Sequence, residues 1–132
     1  MNNDVLQWLS FAQEDLAVAR HLLATFRPEP MEIICYHCQQ AAEKAIKSVY
    51  IISDVPGGVP RKHDLTFLLE QLKNSFEVSE ALLDHADILS AYGVVVRYPA
   101  EIQLNAAKVE QAIRYAEEIV SWAQQIIESH DR

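Results

Sequence analysis

The sequence predicts an all-α protein, an antiparallel up-and-down bundle of four to five helices. Apolar residues recur at intervals of three and four along most of the chain, which is the spacing of one face of a helix. The chain has only three glycines among 132 residues, so it has little material for β-hairpin turns and an all-β fold is disfavoured. This length suits one domain, residues 1–132, with a core large enough to be stable without a metal or a disulfide.

The first two predicted helices have clear inner faces. The apolar stripe of the first is Val5, Leu9, Ala12, Leu16, Ala19, Leu23 and Phe26. This helix ends at Pro28–Pro30, because proline disfavours the helical conformation of the residue before it. A second helix is predicted from near Glu29 to Ile52. Its inner stripe is Ile34, Cys38, Ala41, Ala45, Val49 and Ile52, with Ala42 beside it. The small residues in this stripe would let a neighbouring helix approach closely.

In the second half of the chain, turn and capping residues mark where the predicted helices begin and end. Residues 53–62 hold two of the five prolines and two of the three glycines, which predicts a loop that is long enough to be mobile. Asp64, Ser79 and Asn105 can each cap the helix that follows. Between the last two helices, Gly93 and three valines weaken helical structure. We expect the fourth helix to fray near Gly93 and a structured loop to carry Arg97 and Tyr98.

The composition narrows the possible classes of partner. Nineteen acidic residues against eleven Lys plus Arg give a formal net charge of −8, which argues against indiscriminate nucleic-acid binding. No apolar run approaches the about 20 residues of a membrane span. The N-terminus lacks the basic and then apolar pattern of a signal peptide. These features predict a cytoplasmic protein without a membrane partner.

Known patterns for metal, cofactor and covalent chemistry are missing. Cys35 and Cys38 form a C-x-x-C pair, but a structural zinc site needs four ligands and the redox motif follows a strand. We interpret Cys38 as a small core residue on the inner stripe of the second helix, with Cys35 nearby. None of the five histidines belongs to the Glu-x-x-His pattern of di-iron bundles, and no phosphate-binding glycine loop occurs. The sequence therefore predicts no metal and no cofactor.

Basic residues are concentrated in one part of this acidic chain. They are Lys44, Lys47, Arg61 and Lys62, with His63 adjoining. In contrast, residues 70–87 hold five carboxylates and one lysine. A basic island within a negative field favours a specific phosphate-bearing ligand. The alternative is that Lys44 and Lys47 lie on a solvated helix face, with Glu43 and Lys47 paired four residues apart.

Arg97 is the strongest single candidate for a binding residue. It follows three valines and precedes Tyr98 and Pro99, so we expect it in or beside packed surroundings. A guanidinium group in such a place binds a carboxylate or a phosphate in bidentate fashion. The ligand would be a phosphate, or alternatively a carboxylate of a neighbouring helix that fixes the register of the bundle.

Three segments in order resemble the HEPN domain family: Cys38–Lys47, His63–Leu65 and Val96–Pro99. The resemblance spans nearly the whole chain and implies a bundle of four to five helices that is usually a homodimer. It also implies a frequent partner, a separately encoded minimal nucleotidyltransferase, in a toxin–antitoxin-like pair. Many family members are metal-independent RNases whose motif is an arginine, four to six residues and then a histidine, with both subunits contributing to one cleft.

The chain departs from that RNase motif. If Arg97 is the motif arginine, the histidine would fall within residues 102–104, which are isoleucine, glutamine and leucine. The usual general acid or base is therefore missing, although His63 could replace it if the fold brings it near Arg97. The resemblance is then to a branch marked by Arg-Tyr-Pro, and it implies a non-catalytic module that binds a nucleotide or a nucleotidyltransferase.

In that interpretation Arg97 holds a phosphate and Tyr98 stacks on a base or on an aromatic ring of the partner. The remaining ligand-binding candidates are Lys44, Lys47, Lys62 and His63. Two alternatives stay open. One is a metal-independent RNase toxin that uses Arg97 with an unconventional histidine, and the other is a purely structural helical dimer.

Overall fold

The computed structural model describes residues 3–53, 55–93 and 103–130. These ranges contain five α-helices and no strand. The helices are α1 (Asn3–Thr25), α2 (Met31–Ile52), α3 (Leu65–Leu72), α4 (Glu80–Ser90) and α5 (Ala106–His130). A 3₁₀ turn, Ala91–Gly93, continues α4. The predicted all-α class and the helical bundle are confirmed.

Helix α2 is the centre of the bundle. It packs against α1 and α5 along most of its length and also contacts α3, α4 and the 3₁₀ turn. The alanines at positions 41, 42 and 45 are fully buried, as the predicted close approach of neighbouring helices requires. Because other elements surround α2, its buried residues extend beyond one stripe and include Gln39, Glu43, Lys47 and Ser48.

The predicted apolar stripes form the core, with shifts at their ends. In α1, Val5, Ala12, Leu16 and Ala19 are buried as predicted. Phe26 is exposed because α1 ends at Thr25, before the stripe would reach it. Near the end of α5, Ile127 is buried and Ile126 is only partly buried.

Three predicted capping residues are confirmed. The Asp64 side chain accepts hydrogen bonds from the backbone N–H groups of Thr66 and Phe67. Ser79 accepts one from Leu82, and Asn105 Oδ1 accepts one from the backbone of Lys108 at 2.9 Å. Each bond satisfies a backbone donor that lacks a partner inside its own helix. The 3₁₀ turn at Gly93 also agrees with the predicted weakening of the helix there.

Both cysteines are buried and unbridged, which confirms Cys38 as a core residue and adds Cys35 to the core. Burial, reinforced by the negative charge of Glu32, raises the pKa of Cys35 to about 12. Burial likewise raises the pKa of Cys38. A thiol that stays protonated at neutral pH is a poor nucleophile and a poor metal ligand. Across the described ranges, no helix combines the length and apolar character needed to cross a membrane.

Replacement of Leu89 by alanine should destabilise the bundle far more than the same change at its neighbour Ile88. Leu89 is fully buried, whereas Ile88 is 38% exposed. A Leu-to-Ala change in a core costs about 2–5 kcal/mol, because apolar contacts are lost and a cavity remains. Urea denaturation of Leu89→Ala and Ile88→Ala measures both effects. Equal losses of stability in the two variants would contradict this placement of α4.

Candidate functional site

Six residues were predicted from the sequence to bind a ligand, and the structure describes four of them. Arg97 and Tyr98 lie outside the described residues. The remaining four are Lys44, Lys47, Lys62 and His63, which lie on α2 and on the segment that leads into α3. The site is therefore built here from α2, the start of α3 and the end of α4.

A buried carboxylate, Glu43, joins α2 to the segment before α3. Its side chain is 7% exposed and accepts a hydrogen bond at 3.0 Å from Lys47 Nζ, whose side chain is 8% exposed. His63 Nδ1 lies 3.1 and 2.9 Å from the two Glu43 oxygens. Gln39 Nε2 donates to Glu43 Oε1 at 2.9 Å. We call Gln39, Glu43, Lys47 and His63 the Glu43 network.

These contacts keep Glu43 ionised. Burial by itself raises the pKa of this carboxyl group, but the hydrogen bonds from Gln39, His63 and Lys47 outweigh it, so that the pKa lies below its ordinary value. An ionised carboxylate only accepts hydrogen bonds. His63 Nδ1 must therefore carry the proton of their shared bond.

His63 is the exposed member of the Glu43 network. Its side chain is 78% exposed although Nδ1 is bound to the buried carboxylate. With the proton on Nδ1, a neutral imidazole presents Nε2 as a hydrogen-bond acceptor. A carboxylate that fixes the tautomer and orientation of a histidine in this way is typical of general bases. The pair can therefore hold or accept a proton at the surface.

Gln39 connects the Glu43 network to the end of α4. Besides Glu43, its Nε2 donates to the backbone oxygen of His63 at 3.3 Å, and its Oε1 accepts from Gln40 Nε2 at 2.8 Å. A Cβ atom on Gly93 would lie only 3.2 Å from Gln39 Cδ. Glycine at position 93 therefore lets the 3₁₀ turn pack directly on the Gln39 amide.

A polar groove of about 760 Å³ opens beside the Glu43 network. Its walls are the outer face of α2, the start of α3 and the end of α4. The lining residues are Tyr36, Gln39, Gln40, His63, Asp64, Asp87, Ser90, Ala91 and Gly93. The backbone N–H of Leu65 donates to Ser90 Oγ at 2.9 Å, which ties the first turn of α3 to α4 across the groove. We call this surface the His63 groove.

The predicted basic island is divided in the structure. Lys44 Nζ lies 2.6 Å from Asp15 Oδ2, and the other oxygen of Asp15 lies 2.8 Å from His37 Nδ1. Lys44 therefore belongs to a contact between α1 and α2, and Lys47 belongs to the Glu43 network. The predicted Glu43–Lys47 pair is present, but on a buried face of α2 and not on the solvated face that the alternative expected.

The loop cations remain at the surface. Arg61 and Lys62 are exposed, and Lys62 Nζ lies 5.8 Å from the centre of the Phe67 ring. A cation at this distance from an aromatic face makes a weak cation–π contact at an exposed site. Lys44, Lys47 and His63 each pair with a carboxylate. Within the described ranges, Lys62 forms no ion pair with a carboxylate.

Sequence reasoning missed Glu43 and Gln39 as functional residues. The available signal was their spacing, because Gln39, Glu43 and Lys47 follow one another at intervals of four and so share one helix face. Such a polar row along an otherwise apolar helix indicates a buried network. In the part of the chain that the structure describes, no three His, Cys, Asp or Glu side chains converge as a set of metal ligands.

The sequence of this chain was compared with models of known protein families. The family model of the HEPN domain matches residues 5–127. The chain belongs to the HEPN domain family. Two of the three segments that carry the sequence resemblance to HEPN domains, Cys38–Lys47 and His63–Leu65, meet in the Glu43 network. The third, Val96–Pro99, lies outside the described residues.

Two solved structures share the fold of this HEPN domain. TT1696 from Thermus thermophilus superposes with a TM-score of 0.79 and 27% identity, over 94% of this chain and 98% of that chain. An HEPN domain protein (tm0613) from Thermotoga maritima superposes with a TM-score of 0.70 and 26% identity, over 92% of this chain and 98% of that chain. The comparison with curated proteins finds no match.

Replacement of Glu43 by glutamine should destabilise the HEPN domain in a pH-dependent way. At neutral pH the change leaves the buried Lys47 without its counter-charge, which costs about 3 kcal/mol. The pKa of Glu43 is lower in the folded state than its ordinary value of 4.5. The ionised Glu43 side chain therefore stabilises the fold above pH 4.5, and this stabilisation is lost as the pH falls through the folded-state pKa. The difference between the wild type and Glu43→Gln should therefore shrink in acid.

Urea denaturation at pH 7 and at pH 3 measures this difference. Glu14→Gln, a change at an exposed position of α1, is the matched control and should show little effect at either pH. A difference for Glu43→Gln that stays constant, or grows, in acid would be inconsistent with an ionised Glu43 in the folded state.

Proposed function

We propose that this HEPN domain is a cytoplasmic, non-catalytic module that binds a nucleotide or another phosphate-bearing ligand in the His63 groove. The observation that carries the proposal is the convergence of Gln39, His63 and Gly93 on one polar groove. Its volume of about 760 Å³ falls within the range of small-molecule sites, about 300–1,000 Å³. Arg97 follows Gly93 by four positions in the sequence, which supports a phosphate contact at this end of the groove.

The lining suits the base and the ribose of a nucleotide. The Tyr36 ring offers a stacking surface, and the Gln40 amide has both donor and acceptor groups for the edge of a base. The Asp87 carboxylate and the Ser90 hydroxyl can accept hydrogen bonds from ribose hydroxyls. Both lie on the α4 wall of the groove.

In this proposal Lys62 and Arg97 bind the phosphate end of the ligand. Lys62 is exposed beside His63, and Arg97 adds a guanidinium group that can hold a phosphate through two hydrogen bonds. Tyr98 stacks on the base or on an aromatic ring of a partner. Lys44 and Lys47 support the site indirectly, because their charges are already neutralised by Asp15 and Glu43.

The proposal includes two protein partners. Membership of the HEPN family supports a homodimer. The resemblance also supports a separately encoded minimal nucleotidyltransferase as the partner of a toxin–antitoxin-like pair. Such an enzyme handles nucleotides, so a nucleotide held at the His63 groove would lie at the surface that both proteins recognise.

Titration calorimetry with ATP, GTP and their monophosphates tests the nucleotide proposal. We expect saturable binding to the wild type and at least a tenfold loss of affinity in Arg97→Ala, because a bidentate charged contact is worth about 1.5–3 kcal/mol. Arg114→Ala, which removes an exposed arginine from α5, is the control and should bind as the wild type does. Wild-type protein that shows neither heat nor a rise in melting temperature with any nucleotide would refute the nucleotide proposal.

A second candidate function, a metal-independent RNase, is favoured by the Glu43–His63 pair. In this reaction His63 Nε2 accepts the proton of a ribose 2′-OH while the 2′ oxygen attacks the adjacent phosphorus. The bond to the 5′ oxygen breaks, and that oxygen leaves with a proton from water, so the product ends in a 2′,3′-cyclic phosphate. Arg97 would neutralise charge on the phosphate as it develops.

Cleavage of end-labelled single-stranded RNA in the presence of EDTA tests this second candidate. If it is correct, the wild type yields cyclic-phosphate ends, and both His63→Ala and Arg97→Ala lose the activity. His21→Ala, a change at an exposed histidine of α1, should remain active. Cleavage that persists in Arg97→Ala would point to a contaminating nuclease and exclude this mechanism.

A further inference from the structure

We propose that a second groove, between the start of α4 and the end of α5, docks a basic amphipathic helix of a protein partner. This groove has a volume of about 570 Å³. Its apolar floor is formed by Phe76, Leu82, Trp122 and Ile126, and we call it the Trp122 groove. It shares no lining residue with the His63 groove, so the proposal does not rest on the proposed function.

The floor is apolar and partly open to solvent. Phe76, Trp122 and Ile126 are each only partly buried, and Leu82 lies beneath them. The indole Nε1 of Trp122 donates to the backbone oxygen of Glu77 at 3.0 Å, which fixes the ring with its polar atom already satisfied. A fixed aromatic ring beside a pocket for an aliphatic side chain is typical of the centre of a protein–protein contact.

The charge around the floor indicates the kind of partner. On one wall Glu77 lines the groove, Glu80 follows the lining residue Ser79 in the sequence, and no Lys or Arg is among the lining residues. On the α5 wall, Glu128 precedes the lining residue Ser129 in the sequence, and His130 is the one lining side chain there that can carry a positive charge. The groove also lies at the C-terminal end of α5, where the helix dipole adds negative partial charge. An apolar floor within such a field is complementary to apolar side chains flanked by lysine or arginine.

The same field disfavours other classes of ligand. A nucleic acid or an anionic membrane would meet like charge on both walls. The α5 wall exposes Trp122 and Ile126 four residues apart, over two turns with Gln125 and Ser129. This is the pattern by which a groove receives the apolar face of one amphipathic helix. The observations therefore favour a cationic helix as the occupant.

Fluorescence titration with a synthetic peptide tests the proposal. The probe is a helical peptide of leucine and lysine, about 18 residues long so that it spans about 27 Å, without aromatic residues, and a matched peptide replaces each lysine with glutamate. The host protein carries Trp8→Phe, so that Trp122 is the only tryptophan. We expect the lysine peptide to change the Trp122 emission saturably, with an affinity that falls as salt is added, and the glutamate peptide to cause no change.

Two further variants locate the binding. Ile126→Ser removes an apolar side chain from the floor and should weaken binding about tenfold or more, since burial of an isoleucine side chain is worth about 1.5–3 kcal/mol. Phe11→Ser removes an exposed apolar side chain from α1 and should leave the affinity unchanged. Equal affinity in Ile126→Ser, equal binding of the two peptides, or no saturable signal would each overturn the proposal.

Discussion

The buried negative charge of Glu43 is the constraint on which the architecture of the His63 groove depends. A carboxylate with a 7% exposed side chain costs several kcal/mol unless its charge and its lone pairs are satisfied. Lys47 supplies the charge, and Gln39 and His63 supply further hydrogen bonds from two different elements. Because these donors must all reach one carboxylate, the segment before α3 is held against α2 at a fixed position. The amide of Gln39 is held as well, and the 3₁₀ turn at the end of α4 then packs on it.

The helices could be predicted from the sequence because the signals that define them are local. An apolar stripe depends on spacing within one helix, and a cap such as Asp64 bonds to backbone groups two and three residues away. The ends of the stripes were less well predicted, because burial there depends on where the neighbouring helix stops. Phe26 continues the spacing of α1 but lies beyond its last turn, so nothing buries it.

The site could be predicted only in part, because its contacts join residues that are far apart in the sequence. His63 meets Glu43 across 20 positions, and Lys44 meets Asp15 across 29. The spacing of four between Glu43 and Lys47 predicted that they pair, but it does not say which side of α2 is covered. That side became buried because α2 is enclosed by the other helices. Hence a pair expected in solvent became an internal network, and two of the four described lysine and histidine candidates proved to be neutralised within the protein.

In this HEPN domain the two ends of α4 line two different grooves. The first turn of α4 contributes Leu82 to the Trp122 groove, and its capping residue Ser79 also lines that groove. The C-terminal part of α4 contributes Asp87 and Ser90 to the His63 groove, whose lining also includes the exposed His63. The two grooves share no lining residue, and our proposals assign them opposite ligands: an anionic ligand at the His63 groove and a cationic helix at the Trp122 groove.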